Sequence, residues 1–138
     1  MTTADYAARV YDYHRDYAAL HGYAPVGANV CHALRISRRD YHAALRWLVE
    51  RRFLTHQARR WRGVRINVRL CKDCGVEITP QNAIIEPSRG RLFVRGRCYA
   101  CFYAVHNRRD KAWRDRNPGY VARRVARERQ RQQRGASA

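Results

Sequence analysis

Acidic residues are scarce in this 138-residue chain, 11 against 29 lysines and arginines, and lysine itself is nearly missing, with Lys72 and Lys111 the only two. The first shortage leaves a formal charge of +18. Such an excess points to a polyanion, most often DNA or RNA, with solubility or an acidic protein partner as the blander readings. The second makes the charge almost wholly guanidinium, whose planar fork suits phosphate and guanine. Arginine excess also follows from GC-rich coding, and both readings stay open. No apolar run approaches the ~18 residues of a membrane span, and MTTADYAARV lacks the apolar stretch of a signal peptide. No membrane partner is therefore expected, and a cytoplasmic location is. In that reducing compartment paired cysteines favour metal over disulfides.

The charge is unevenly placed. Residues 1–58 hold 8 basic and 5 acidic side chains, a net +3, whereas residues 59–138 hold 21 and 6, a net +15. The length suits one domain or two small ones, and no internal repeat is visible. Apolar spacing predicts a first helix over residues 3–20, with Tyr6, Val10, Tyr13, Tyr17 and Leu20 on its inner face. Gly22 stops it, and Pro25 leads into a short helix over 26–34 with Val30, Ala33 and Leu34 available for a core. Ser37 and Asp40 have capping-box spacing ahead of a third helix to about Arg52. Tyr41, Ala44, Leu45 and Leu48 line its inner face; Arg38, Arg39, His42 and Arg46 line the other. FLTHQ and VRINVRL then alternate with period two, placing Val64, Ile66, Val68 and Leu70 on one side, and ARRWRG between them carries the turn-former Gly63.

Three helices followed by a hairpin is the order of a winged helix-turn-helix. GYAPVGANVCHALRISRRDYHAALRWLVERRFL resembles the helix-turn-helix of LexA-type and related winged-helix repressors, and ARRWRGVRINV resembles their basic, glycine-containing wing. The resemblance covers residues 4–70, with Arg35 and Arg52 at turn positions where those families usually have glycine. It implies that the N-terminal end of the third helix enters the major groove, presenting Arg38, Arg39, His42 and Arg46. It also implies that Arg59, Arg60, Trp61 and Arg62 follow the phosphate backbone or the minor groove. The protease part of LexA has no counterpart.

From Cys71 the composition changes. Cys71 and Cys74, then Cys98 and Cys101, form two Cys-x2-Cys pairs separated by 23 residues. Tetrahedral Zn2+ takes four sulfurs, and a two-residue spacer lets both sulfurs of a pair reach one ion, so one structural zinc is expected on these four. Gly75 suits the tight turn after the first pair. Few large apolar residues lie between the pairs, so residues 71–116 are expected to depend on the metal and residues 1–70 are not. Cys31 reads as a buried structural thiol. With the second pair opening a helix after a hairpin, the layout is that of a treble-clef finger.

This half resembles the phage endonuclease VII group, nucleases built on a treble clef. In that family an Asp-His pair between the knuckles and an Asn directly after the last Cys serve catalysis. Here residues 75–97 contain no histidine, Phe102 follows Cys101, and His106 has no obvious carboxylate partner. Four thiolates leave no open position on the ion. The residues therefore imply a kept scaffold without the chemistry.

The expected architecture is α+β: a winged helix-turn-helix over 1–70, a four-cysteine zinc module with its helix over 71–116, and an arginine-rich helical tail over 117–138, disordered at its end. The break falls at Asn117-Pro118. Arg108, Arg109 and Arg114, with the tail arginines, are expected to contact phosphates regardless of base sequence. Tyr99, Phe102, Tyr103 and Trp113 are expected to pack on the zinc module, with stacking on exposed bases as the alternative. The function this supports is that of a bacterial or phage transcriptional regulator binding double-stranded DNA. The alternatives are a nuclease acting on branched DNA and a modulator docking on RNA polymerase or another protein.

Overall fold

The computed structural model describes residues 1–138 apart from 58, 61, 89, 90, 137 and 138; for 86–88, 91–94 and 136 it describes the backbone alone. The fold is α+β, with helices α1 (Thr3–His21), α2 (Gly27–Leu34), α3 (Arg38–Glu50), α4 (Tyr99–Arg116) and α5 (Pro118–Ala136). Its strands β1 (Leu54–His56), β2 (Val64–Ile66), β3 (Ala83–Ser88) and β4 (Arg91–Cys98) form two antiparallel pairs, β1 with β2 and β3 with β4. The chain divides into two compact units, Met1–Cys101 and Phe102–Ala138.

Within the first unit α1 packs on α3, and both deliver aromatic side chains to one core. Ala7, Val10, Tyr11 and His14 form the buried face of α1. The expected stripe through Tyr6, Tyr13 and Tyr17 lies to one side of it, and Leu20 is 79% exposed. The face turns because Tyr11 meets Phe53 edge-on at 5.8 Å, and Trp47 stacks on Phe53 at 6.1 Å. Tyr41, Ala44, Leu45 and Leu48 of α3 are buried as their spacing requires. Of the α2 residues, Val30 is buried and Leu34 half-buried, but Ala33 is exposed. Cys31 is half-buried against the core. Gly27 sits so close to α3 that a Cβ there would meet the Tyr41 ring at 2.8 Å.

The helix ends show how the arginines are accommodated. Arg35 (φ 52°) and Arg52 (φ 60°) are both left-handed. At the end of α2 the Ile36 N–H donates to Cys31 O (3.1 Å) and the Arg35 N–H to His32 O (3.3 Å). At the end of α3 Phe53 donates to Leu48 O (2.9 Å) and Arg52 to Val49 O (3.0 Å). Each set is a Schellman cap, in which glycine normally takes the left-handed position because a Cβ is strained there. Ser37 caps α3 through Asp40 N (3.1 Å), but its hydroxyl also donates to the Asp40 carboxylate (2.6 Å), so the reciprocal bond to the Ser37 backbone is replaced by a side-chain pair. The full capping box is at α1, between Thr2 and Asp5.

The first hairpin is shorter than the alternation suggests. Leu54 pairs with Ile66 and His56 with Val64; beyond them the Asn67 N–H still donates to Phe53 O (2.9 Å), and Leu70 pairs instead with Glu77. Val68 and Leu70 are 67% and 62% exposed. The Gln57 N–H donates to Gly63 O (2.9 Å), and a Cβ on Gly63 would lie 2.3 Å from Gln57 O, so the turn closes only on glycine. Arg59 (φ 64°) and Arg62 (φ 56°) take left-handed conformations in the same turn.

The segment after Leu70 is built into the helical core. Cys71, Ile78 and Cys98 belong to the same buried cluster as Tyr11 and Leu48, Ile78 being 1% exposed. The Tyr11 hydroxyl donates to Glu77 (2.7 Å), and Gln81 Nε2 donates to Asp12 (2.6 Å). Residues expected to stand apart from the first 70 thus complete its interior. In the second unit Trp113 of α4 meets Tyr120 of α5 edge-on at 4.7 Å, and α5 continues to Ala136, past Gly135 where fraying was expected.

Two expectations follow from these positions. Arg35→Gly and Arg52→Gly should each raise unfolding free energy by about 0.5–1 kcal/mol, strain relief outweighing the added freedom of the unfolded chain; urea titration reads both. His14 is 1% exposed with Nε2 3.2 Å from the Tyr41 hydroxyl, and burial, helped by the charge of His56, pushes its pKa from 6.5 down to about 4. The fold thus keeps the ring neutral while the unfolded chain protonates it. Stability from this site is full above pH 6.5 and falls as pH drops toward 4, by roughly 2–3 kcal/mol. His14→Leu should remove that share of the pH dependence between pH 7 and 4.5.

Candidate metal centre and basic surface

Each cysteine is placed by a different local device. Cys71 lies 2% exposed, its N–H donating to Val76 O (2.8 Å) while its carbonyl accepts from the Gly75 N–H (2.8 Å). Gly75 takes φ 74°, the left-handed turn that brings Cys74 back beside Cys71. Cys98 ends β4 opposite Ala83, and the Tyr99 N–H at the start of α4 donates to Asn82 O (2.7 Å). Asn82 is held in turn, donating to Glu77 O (2.8 Å) and accepting from the Thr79 N–H (2.8 Å). Cys101 follows on the first turn of α4. Two cross-ties fix one pair against the other: Lys72 N–H to Gly96 O (3.1 Å), and an ion pair between Asp73 and Arg97.

The four Sγ atoms lie within 4.8 Å of one another and could hold one metal ion. Cys74 Sγ and Cys98 Sγ are 3.8 Å apart. The backbone N–H groups of Cys98, Cys74 and Asp73 push the Cys71 thiol down to about 6, opposed by burial, whereas hydrogen bonding to the sulfurs of Cys74 and Cys98 pushes Cys101 up to about 12. Crowded sulfurs cannot ionise together in the absence of a cation. All four are ready ligands once a cation takes up their charge. The donor set is all sulfur, with no carboxylate among the ligands, and matches a thiolate-preferring ion.

The basic residues fall into three groups. Arg38, Arg39, His42 and Arg46 are exposed on α3, on the side away from its buried stripe. A shallow groove of about 300 Å³ runs from His42, Arg46 and Glu50 to His56 on β1, bringing in a residue that sequence patterning passed over. The alternation gave no signal for it: period two puts His56 on the side of buried Leu54, yet it is exposed. In the hairpin turn Arg59 and Arg60 are exposed, and Trp61 lies outside the described residues. Arg62 is half-buried, its guanidinium 3.8 Å over the Tyr23 ring. That contact, with a hydrogen bond that lowers the Tyr23 hydroxyl pKa, ties the turn to the α1–α2 loop.

Arg108, Arg109 and Arg114 are exposed on α4, where Arg108 and Arg114 donate to the carbonyls four residues back. On the same helix His106 Nδ1 lies 3.1 Å from Asp110, both 56% exposed. The histidine thus has the carboxylate partner that the sequence did not make obvious, at i,i+4 spacing, and is not a core residue. Tyr99 and Tyr103 are 56% and 43% exposed. Among the described residues no helix is long and apolar enough to cross a membrane. In comparisons with known proteins, no family model, no curated protein and no solved structure matches the chain.

Metal titration should saturate at one divalent ion per chain, and Cys74→Ser should weaken binding by at least about tenfold. Because Cys71, Ile78 and Cys98 share the helical core, stripping the ion should lower the melting temperature of the whole first unit. Faster amide exchange at Val30 and Leu48 would report it; unchanged exchange there would separate the cluster from the core.

Proposed function

We propose that this chain is a DNA-binding regulator of bacterial or phage type. In this reading α1–α3 and β1–β2 are a winged helix-turn-helix, and the cysteine cluster holds one structural zinc in a treble-clef-like module. The observation that carries it is the two-sidedness of α3. One side is locked into the core by Tyr41, Ala44, Leu45 and Leu48, and the other presents Arg38, Arg39, His42 and Arg46. A helix held this way can enter a major groove as a rigid body, and a two-stranded hairpin follows it in chain order. Arginine paired to guanine O6 and N7 discriminates by ~1–3 kcal/mol. The arginines of the hairpin turn and of α4 suit phosphate, which positions without specifying. Zinc fits a site of four sulfurs and no other ligand, where no coordination position is left for water and the ion's role is to hold the fold.

Selection from a random duplex library should yield a preferred site. Arg38→Ala or Arg46→Ala should lower the ratio of preferred to random binding by roughly 5- to 150-fold, while Arg108→Ala with Arg109→Ala should weaken both duplexes alike. Equal losses on both duplexes from both sets would sink the division of labour, and capture of RNA polymerase or another protein from nuclease-treated lysate, with no preferred site, would move the function to protein binding. One observation favours a nuclease instead: the His106–Asp110 pair, a histidine oriented by a carboxylate as general bases are. In that reading a four-way junction is cut with Mg2+ and spared by His106→Ala; in ours the junction stays intact.

A further inference from the structure

Helix α5 carries five of its six arginines on one side. At ~100° per residue, Arg123, Arg124, Arg127, Arg131 and Arg134 fall within about 100° of arc, centred near Tyr120. Arg129 projects from the opposite side, among Ala122, Ala126 and Gln133. All five arginines are exposed, and among the described residues none is in an ion pair. Tyr120, Arg123, Arg124, Arg127 and Arg131 line one open groove of about 610 Å³ along the helix, with Glu128 and Gln132 also in its lining, so one carboxylate faces four arginines there. Such a row opposes its own helix, since like charges three and four residues apart repel. In α4, by contrast, Asp110 and Asp115 lie among the arginines, whereas Glu128 is the only acid in α5. A row of this kind is resolved by an external anion that matches its length and repeat.

We infer that this arginine face of α5 is a second nucleic-acid contact, lying lengthwise against the phosphate backbone of duplex DNA. The inference rests on the DNA-binding reading and adds to it a site with its own residues and geometry. From Arg123 to Arg134 the row is about 16 Å long, with four-residue steps of ~6 Å. A duplex offers one charge per ~1.7 Å of axis, so phosphates outnumber guanidinium groups along the whole row. The array is rigid and needs no folding to meet the helix, as an acidic peptide would. Nothing on this face is shaped to read a base edge, so the contact is indifferent to sequence.

The test uses the full chain and a random-sequence duplex, with affinity measured against salt concentration. Each arginine on the backbone adds ~0.9 to the slope of log K against log salt. Arg127→Gln should therefore reduce the slope by ~0.9, and Arg123→Gln, Arg127→Gln and Arg131→Gln together by ~2.7. Arg129→Gln, the same charge change two residues away on the other side, should leave it in place. Glutamine is as good a helix former as arginine, and the triple lysine variant should keep the slope because it keeps the charge. Equal effects of Arg127→Gln and Arg129→Gln, no effect of either, loss of slope in the lysine variant, or a difference seen with duplex RNA and not with DNA would each overturn the inference. A parent chain that binds no duplex DNA would overturn the DNA-binding reading itself; binding that responds to Arg38→Ala but not to side on α5 overturns this inference alone.

Discussion

Four sulfur atoms crowded into one small volume cannot all carry charge unless a cation lies among them, and most of what is ordered around the cysteine pairs serves to crowd them. The Gly75 turn, the Lys72–Gly96 and Tyr99–Asn82 bonds and the Asp73–Arg97 pair each bring one ligand toward the others. None buries much apolar surface of its own. Their ordering is offset by the ion that the sulfurs could bind and by Ile78, the one large side chain of the first knuckle region that is fully withdrawn from water. Through Ile78 and the Tyr11–Glu77 bond the same cluster reaches the helices. A perturbation at the sulfurs is therefore felt at α1 and α3, and α3 is the element that presents the outward arginines.

Arginine in this chain is used against its usual conformational preference. Arg35, Arg52, Arg59 and Arg62 all have positive φ, in places where glycine would carry no strain. Two of them close helices and two shape the hairpin turn. The strain is held because the flanking residues, Ile36 and Phe53 after the caps and Gly63 in the turn, are tightly fixed by backbone bonds. Cation placement and backbone strain thus coincide around the face proposed to meet DNA. The Arg62–Tyr23 contact adds to this by fastening the turn to the loop after α1.

Much of the first unit was legible in the sequence. The α3 pattern named its buried and exposed sides correctly, since i, i+3, i+4, i+7 spacing leaves little freedom in how an amphipathic helix is turned. The two cysteine pairs named the residues that could hold a metal, because a two-residue spacer is already half the geometry. The α1 face was read to one side of its true position. Tyr6, Tyr11, Tyr13 and Tyr17 give no sharp stripe, and the choice of Tyr11 over Tyr17 was made by Phe53 and Glu77, which are distant in sequence. The β2 alternation was read too far, through Val68 and Leu70, because period two persists after pairing with β1 stops and Leu70 turns to Glu77.

Local chemistry, then, was determined by sequence alone: the Ser37 cap of α3, the arginines at glycine's place after α2 and α3, and the four sulfurs that could share one ion. Tertiary structure alone decided that the cysteine segment completes the helical core, that Arg62 lies over Tyr23, and that His56 joins His42 and Arg46 along one groove. The physical reason is range. Caps and helix faces are set by residues within about one turn of each other, whereas burial is set by whichever distant side chain arrives to exclude the water.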